Sequence, residues 1–290
     1  MPVHEENDWT QHSSSFPGEV QCRQHLASLL PPTSSVSSSV SSTQHSFQKA
    51  LDDALRSSIK VSLVSLREQA RFSAVAYPYA GAWLRAIPNS GLGLAMSPRE
   101  FVTSLRLRLG IPVFPAPPHS VRCVCGHELD IFGDHALGCG PLRIKRHDAL
   151  CDVIFHWLLL DNSNVRREQR CSSHSMTRPG DVFLPDFSLG KAAYFDISVR
   201  NSFTPSHLIN AAIKAGVAVE AGEVDKDERH LANVLSYGWL FYPLVVKSYG
   251  VWAAHSLEVL RSIVKKSLLS SGLSLGQASR QFQEQLSVRL

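Results

Sequence analysis

The stretch Gly180-Asp-Val-Phe-Leu-Pro-Asp-Phe-Ser-Leu-Gly190-Lys-Ala-Ala-Tyr-Phe-Asp196-Ile-Ser-Val199 decides the reading of this chain. Two runs rich in β-branched and aromatic residues, 181–187 and 192–199, flank a turn at Gly190, the pattern of a hairpin. Each run carries an acid among apolar neighbours. A carboxylate turned toward an interior costs several kcal/mol unless it is paired or bound to metal. Fourteen residues separate Asp181 from Asp196, a spacing that suits two adjacent strands and brings both carboxylates toward one hard divalent ion. An ion held there can activate water and neutralise the charge of a phosphodiester transition state. Asp186 is a rival first ligand, but its closeness to Gly190 favours a turn role. Glu168 is a further candidate carboxylate, although Arg166, Arg167 and Arg170 beside it equally suit a surface ion-pair cluster.

Outward from this hairpin, the pattern alternates between periods of two and 3.6 residues. A β-like segment spans 165–171, and a helix with Leu150, Val153, Ile154 and Trp157 on its buried side spans 145–160. Downstream lie one long helix over 206–237, a strand over 239–247 and helices over 251–268 and 272–288. The expected core is therefore α/β, in the order α-β-β-β-α-β over 141–250, followed by C-terminal helices in 251–290. Upstream, Phe47, Leu51, Leu55 and Ile59 recur every four residues and continue into Leu63 and Leu66, which predicts one helix over 46–71. Ser97-Pro-Arg-Glu100 is a capping-box start for a helix ending near Gly110. Phe101, Leu105 and Leu109 share one face of that helix, and Arg99, Arg106 and Arg108 lie elsewhere, as a solvated face would. Residues 46–120 thus form a helical linker segment that closes on a proline-rich connector at 111–120. Residues 1–45, dominated by Ser, cannot bury enough surface to repay ordering and are expected to be a disordered tail.

Between connector and core, 121–140 gather Cys123-x-Cys125, nine residues, His135, three residues and Cys139. Zinc takes four soft or borderline ligands in a tetrahedron, and His-x3-Cys sets two of them one helical turn apart. The single-residue gap between Cys123 and Cys125 is tighter than usual, and His127 competes with His135 for the nitrogen position. Four protein ligands leave no open position, so such a zinc is structural.

Composition bounds the function classes. The 290 residues carry no run of about 18 apolar residues, which excludes a membrane span. The polar, acidic first residues have no apolar core of a secretory signal. Six cysteines are too few for a disulfide scaffold in a chain of this length. The net charge of +4 combines a −3 tail, where Glu5, Glu6, Asp8 and Glu19 face Arg23 alone, with a +7 remainder. That excess suits a polyanion partner.

Three features in this order resemble the C-terminal region of non-LTR retrotransposon polyproteins that carry a restriction-like endonuclease. They are the Cys-x-Cys…His-Ala-Leu-x-Cys knuckle, then Arg146-His147-Asp148, then Gly-Asp-Val with Phe-Asp-Ile-Ser-Val-Arg-Asn downstream. The likeness spans about 60–265. It implies a PD-(D/E)xK nuclease core that binds DNA, and element RNA besides, with Mg²⁺ or Mn²⁺ at the acids, Zn²⁺ in the knuckle and a nuclear location. Asp181 and Asp196 fall at its two catalytic carboxylates. The lysine expected two residues after the second acid is replaced by Ser198, so Lys226 is the implied catalytic lysine and Lys214 the alternative. Arg146 and His147 match its basic element and, with Arg143 and Lys145, form a cluster able to grip phosphate. No Tyr-x-Asp-Asp polymerase signature occurs, so the resemblance is to the endonuclease end without the reverse transcriptase.

Overall fold

A computed structural model describes residues 44–114, 121–172, 177–201 and 203–290. The tail expected over 1–45 lies outside them apart from its last two residues, as does 115–120 of the proline-rich connector. The chain divides into two compact units, Met1–Leu63 and Val64–Leu290. The first contributes a single described helix, α1 (Gln44–Ser62).

In the second unit, the helix expected to run on to residue 71 instead starts afresh as α2 (Leu66–Val75). The Ser65 hydroxyl accepts from the Glu68 amide, the N-cap of this new helix. A short 3-10 turn (Ala82–Arg85) and α3 (Pro98–Leu109) follow, the latter opening with the expected Ser97/Glu100 capping box. Arg99 and Arg106 of α3 are exposed, as a solvated face would be, and Arg108 is the exception. Arg108 donates to the carbonyls of Ala80 and Val75 at 3.1 and 3.0 Å, whereas Phe101 and Leu109 are exposed. A short helix, α4 (Asp134–Gly138), leads through Cys139 into α5 (Gly140–Asp161).

Among the described residues, four strands make one mixed sheet in the order β1 (Arg166–Arg167), β2 (Val182–Ser188), β3 (Lys191–Arg200) and β4 (Leu240–Lys247). The first three pair antiparallel and β3 pairs with β4 in parallel. The turn between β2 and β3 holds Leu189 at φ 52° and Gly190 at φ 74°, left-handed values at both central residues that match the twist of a tight hairpin. Parallel pairing of β3 with β4 demands a crossover, supplied by α6 (Pro205–Ile213) and α7 (Val217–Leu235). The long helix expected over 206–237 is therefore two. Ala211 and Ala212 of α6 pack with Ala70 of α2, while Val219 of α7 packs with Val245 of β4, and one straight helix cannot serve both surfaces.

Alternation along the strands sorts residues between two layers. Val182, Leu184, Phe195, Ile197, Leu244 and Val246 face a large core with α5, α8 (Ala254–Ser271) and α9 (Leu275–Arg289). Phe183, Tyr194 and Phe241 face the opposite way, with Val234 of α7. Asp196, two residues from Tyr194, thereby shares the α7 side. The result is a mixed α/β fold in the expected element order, with the 165–171 strand reduced to two residues.

Candidate metal centres

The knuckle is built locally. The Gly126 amide donates to the Cys123 carbonyl and the Cys123 amide to the His127 carbonyl, both at 2.8 Å, and Gly126 turns the chain at φ 84°. That left-handed turn lets two cysteines one residue apart face a common point. Cys123 Sγ lies 3.4 Å from Cys139 Sγ, and Cys125 Sγ lies 3.1 Å from His135 Nε2. All four donor atoms sit within 4.8 Å of one another, so Cys123, Cys125, His135 and Cys139 can bind a metal such as zinc. Backbone amides aimed at their sulfurs hold the Cys123 and Cys125 thiols below the ordinary thiol range, while burial pushes Cys139 up. His127 stacks on the His135 ring, centroids 4.1 Å apart, and supports the ligand rather than replacing it.

Two arginines fasten this knuckle to the fold. Arg67 of α2 grips both carboxylate oxygens of Asp134, with Nη2 at 2.6 Å from Oδ1, and lies 3.9 Å over the Phe132 ring. Arg146, expected at phosphate, instead points its half-buried guanidinium at the carbonyls of Ala136 and Leu137 in α4.

The acidic centre is built from distant parts. Asp181 stands just before β2, where its Oδ2 accepts from the Ile197 amide at 2.7 Å. A Cβ on Gly180 would stand 2.9 Å from the Phe195 carbonyl, so this glycine is what lets Asp181 approach β3. The register Val182–Phe195, extended by one residue, sets Asp181 beside Asp196. Asp196 is 6% exposed, and its acid strength reflects that setting. Burial pushes its pKa up to about 6, the Lys226 ammonium opposes the rise, and the Asp181 charge adds to it. Lys226 Nζ reaches Asp196 at 2.8 Å from α7. Gly222, one turn earlier, permits this, because a Cβ there would stand 2.9 Å from Val245 Cγ1. Lys214 pairs with Glu220 at the surface, Asp186 is exposed beyond a register irregularity in β2, and Glu168 pairs with Arg178. Among the candidates, Asp181, Asp196 and Lys226 are the ones brought together.

His147, on the second turn of α5, completes the group. Its Nε2 lies 3.1 Å from Asp181 Oδ2, and that carboxylate raises its pKa to about 11, with the Cys151 contact adding to the rise and burial opposing it. Sequence reading passed over Cys151, Gly222 and Arg67. For Cys151 a signal existed: His147-x3-Cys151 repeats the spacing of His135-x3-Cys139. Among the described residues, no helix is long and apolar enough to cross a membrane. The chain matches no family model, no curated protein and no solved structure.

Proposed function

We propose that the chain is a metal-dependent DNA endonuclease with a restriction-like core and a structural zinc knuckle, in keeping with its resemblance to the nuclease end of non-LTR retrotransposon polyproteins. The observation that carries this reading is the convergence of Asp181, Asp196 and Lys226 at one end of the β2–β3 hairpin, from three separate segments. Two neighbouring carboxylates offer the hard oxygen donors that Mg²⁺ or Mn²⁺ prefers, so the donor set suits a divalent cation. Such an ion supplies Lewis acidity and lowers the pKa of bound water.

The chain's own groups do the rest. The Ile197 amide and His147 fix the Asp181 carboxylate. Lys226 compensates Asp196 in the resting protein and holds an ammonium where negative charge gathers on the scissile phosphate. Arg143 and Lys145, both exposed on the first turns of α5, lie where backbone phosphate can be held.

The test is nicking of supercoiled plasmid in Mg²⁺ or Mn²⁺. Asp181→Asn and Asp196→Asn each lose several kcal/mol of transition-state stabilisation, or about 1,000-fold in rate. Activity that persists in both substitutions overturns the assignment. One observation favours a second reading, a non-catalytic DNA-binding module descended from a nuclease. With Lys226 on Asp196 and His147 on Asp181, both carboxylates already have partners. That reading predicts salt-sensitive DNA binding with no nicking in any divalent metal.

A further inference from the structure

His147 and Cys151 stand one turn apart on the same face of α5, and together they face Asp181. Cys151 Sγ lies 3.7 Å from His147 Nε2 and 3.9 Å from Nδ1, and Nε2 lies 3.1 Å from Asp181 Oδ2. A tetrahedral zinc, with bonds of about 2.0 Å to nitrogen and oxygen and 2.3 Å to sulfur, separates its donors by roughly 3.3 Å for N and O and 3.5 Å for N and S. The observed spacings fit both. A Cys-His-Asp nucleophilic relay needs the thiol and the carboxylate on opposite ring nitrogens. Here the sulfur stands almost equally far from both ring nitrogens, so thiol and carboxylate are not divided between opposite nitrogens as a relay requires.

The other ring nitrogen is also placed for a metal. His147 Nδ1 lies 3.0 Å from the Asp148 carboxylate, the arrangement that fixes the tautomer and orientation of a metal-bound imidazole. Cys151 is buried, while the side chains of His147 and Asp181 are 28% and 24% exposed, so the fourth side of the tetrahedron opens toward solvent.

We propose that His147, Cys151 and Asp181 form a second site for zinc, separate from the knuckle, and that zinc held there withdraws Asp181 from the acid pair. Resting on the nuclease reading for its consequence, the site makes zinc an inhibitor of Mg²⁺-supported nicking. The sulfur and nitrogen donors discriminate for zinc, and Mg²⁺, which prefers oxygen, does not displace it through them.

Zinc stoichiometry of the reduced full chain, measured by competition with a chromophoric chelator, tests the site without any appeal to activity. Wild type takes up a second equivalent beyond the knuckle's, Cys151→Ala does not, and Cys123→Ser keeps the second while losing the first. Asp148→Asn, an exposed change that leaves the core intact, weakens the second equivalent by about 10-fold or more. Equal zinc uptake by wild type and Cys151→Ala, or an unchanged affinity in Asp148→Asn, overturns the site. In the nicking assay, Cys151→Ala retains activity in Mg²⁺ and loses the inhibition by micromolar zinc. A chain that never nicks but loses its second zinc with Cys151 sinks the nuclease reading alone. A chain that nicks while both proteins bind zinc alike sinks the second site alone.

Discussion

Two His-x3-Cys pairs stand twelve residues apart in this chain, His135 with Cys139 and His147 with Cys151, and the fold completes them in different ways. The first is completed from its own neighbourhood by Cys123 and Cys125, on a turn stitched by Gly126. The second meets Asp181 only after the sheet has formed. A locally completed site is closed and carries part of the folding energy, whereas one completed across the fold is open and borrows its geometry from the core.

The largest expected difference is in stability. Structural zinc contributes apparent binding free energy on the order of 10 kcal/mol in small zinc modules. Cys139→Ser is therefore expected to lower the thermal midpoint strongly and to remove most of the protection by zinc. Cys151→Ala, which removes one buried sulfur, is expected to cost about 1–2 kcal/mol. Equal losses in calorimetry would break the comparison.

A second prediction probes how much buried charge the α7 side of the sheet carries. Lys247 is fully buried at the end of β4, donates to the Ala215 carbonyl, and burial lowers its pKa to about 8 from the ordinary 10.5 despite the nearby Glu220. Between those values the unfolded chain holds more protons than the folded one, so stability rises with pH from about 8 to about 10.5. The gain is on the order of 3 kcal/mol. Lys247→Met should flatten that rise in urea unfolding measured across the range.

The acidic centre depends on the close approach of α7 to β4, which Gly222→Ala tests. Alanine improves helix propensity by about 1 kcal/mol, but a Cβ at 2.9 Å from Val245 overpacks at a cost of about 1–3 kcal/mol. A net loss of about 1 kcal/mol is expected from urea unfolding. Nicking should fall with it as Lys226 is displaced from Asp196. A stabilised variant would mean that the helix yields freely.

The smallest effect is expected at Arg146. A phosphate contact removed from a DNA-binding protein lowers the salt slope of binding by about 1. With its guanidinium turned to the Ala136 and Leu137 carbonyls, Arg146→Gln should leave that slope unchanged while loosening zinc retention in the knuckle.

The same contrast separates what could be read in the sequence from what could not. The order α-β-β-β-α-β was legible because period and turn residues act over a few positions, and the knuckle donors were legible because their spacing is local. Lys226 followed from the resemblance rather than from any pattern, since it lies thirty positions beyond Asp196 and only the crossover joins them. The roles of Arg146 and Arg108 were not legible, because a guanidinium turned inward to backbone carbonyls reads in sequence like one turned to solvent, and that of Arg67 was not because its partner, the Asp134 carboxylate, lies far along the chain. The break at 214–216 escaped periodicity because both halves are amphipathic, toward different partners.

Cys139 is at once the last knuckle ligand and the residue from which α5 departs, with His147 eight positions along the same run. A helix turns by about 100° per residue. One residue inserted between them would leave every ligand of both sites present in the chain and yet swing His147 and Cys151 away from Asp181. The length of this segment is thus a specification in its own right, one that substitutions can respect and a single insertion or deletion cannot.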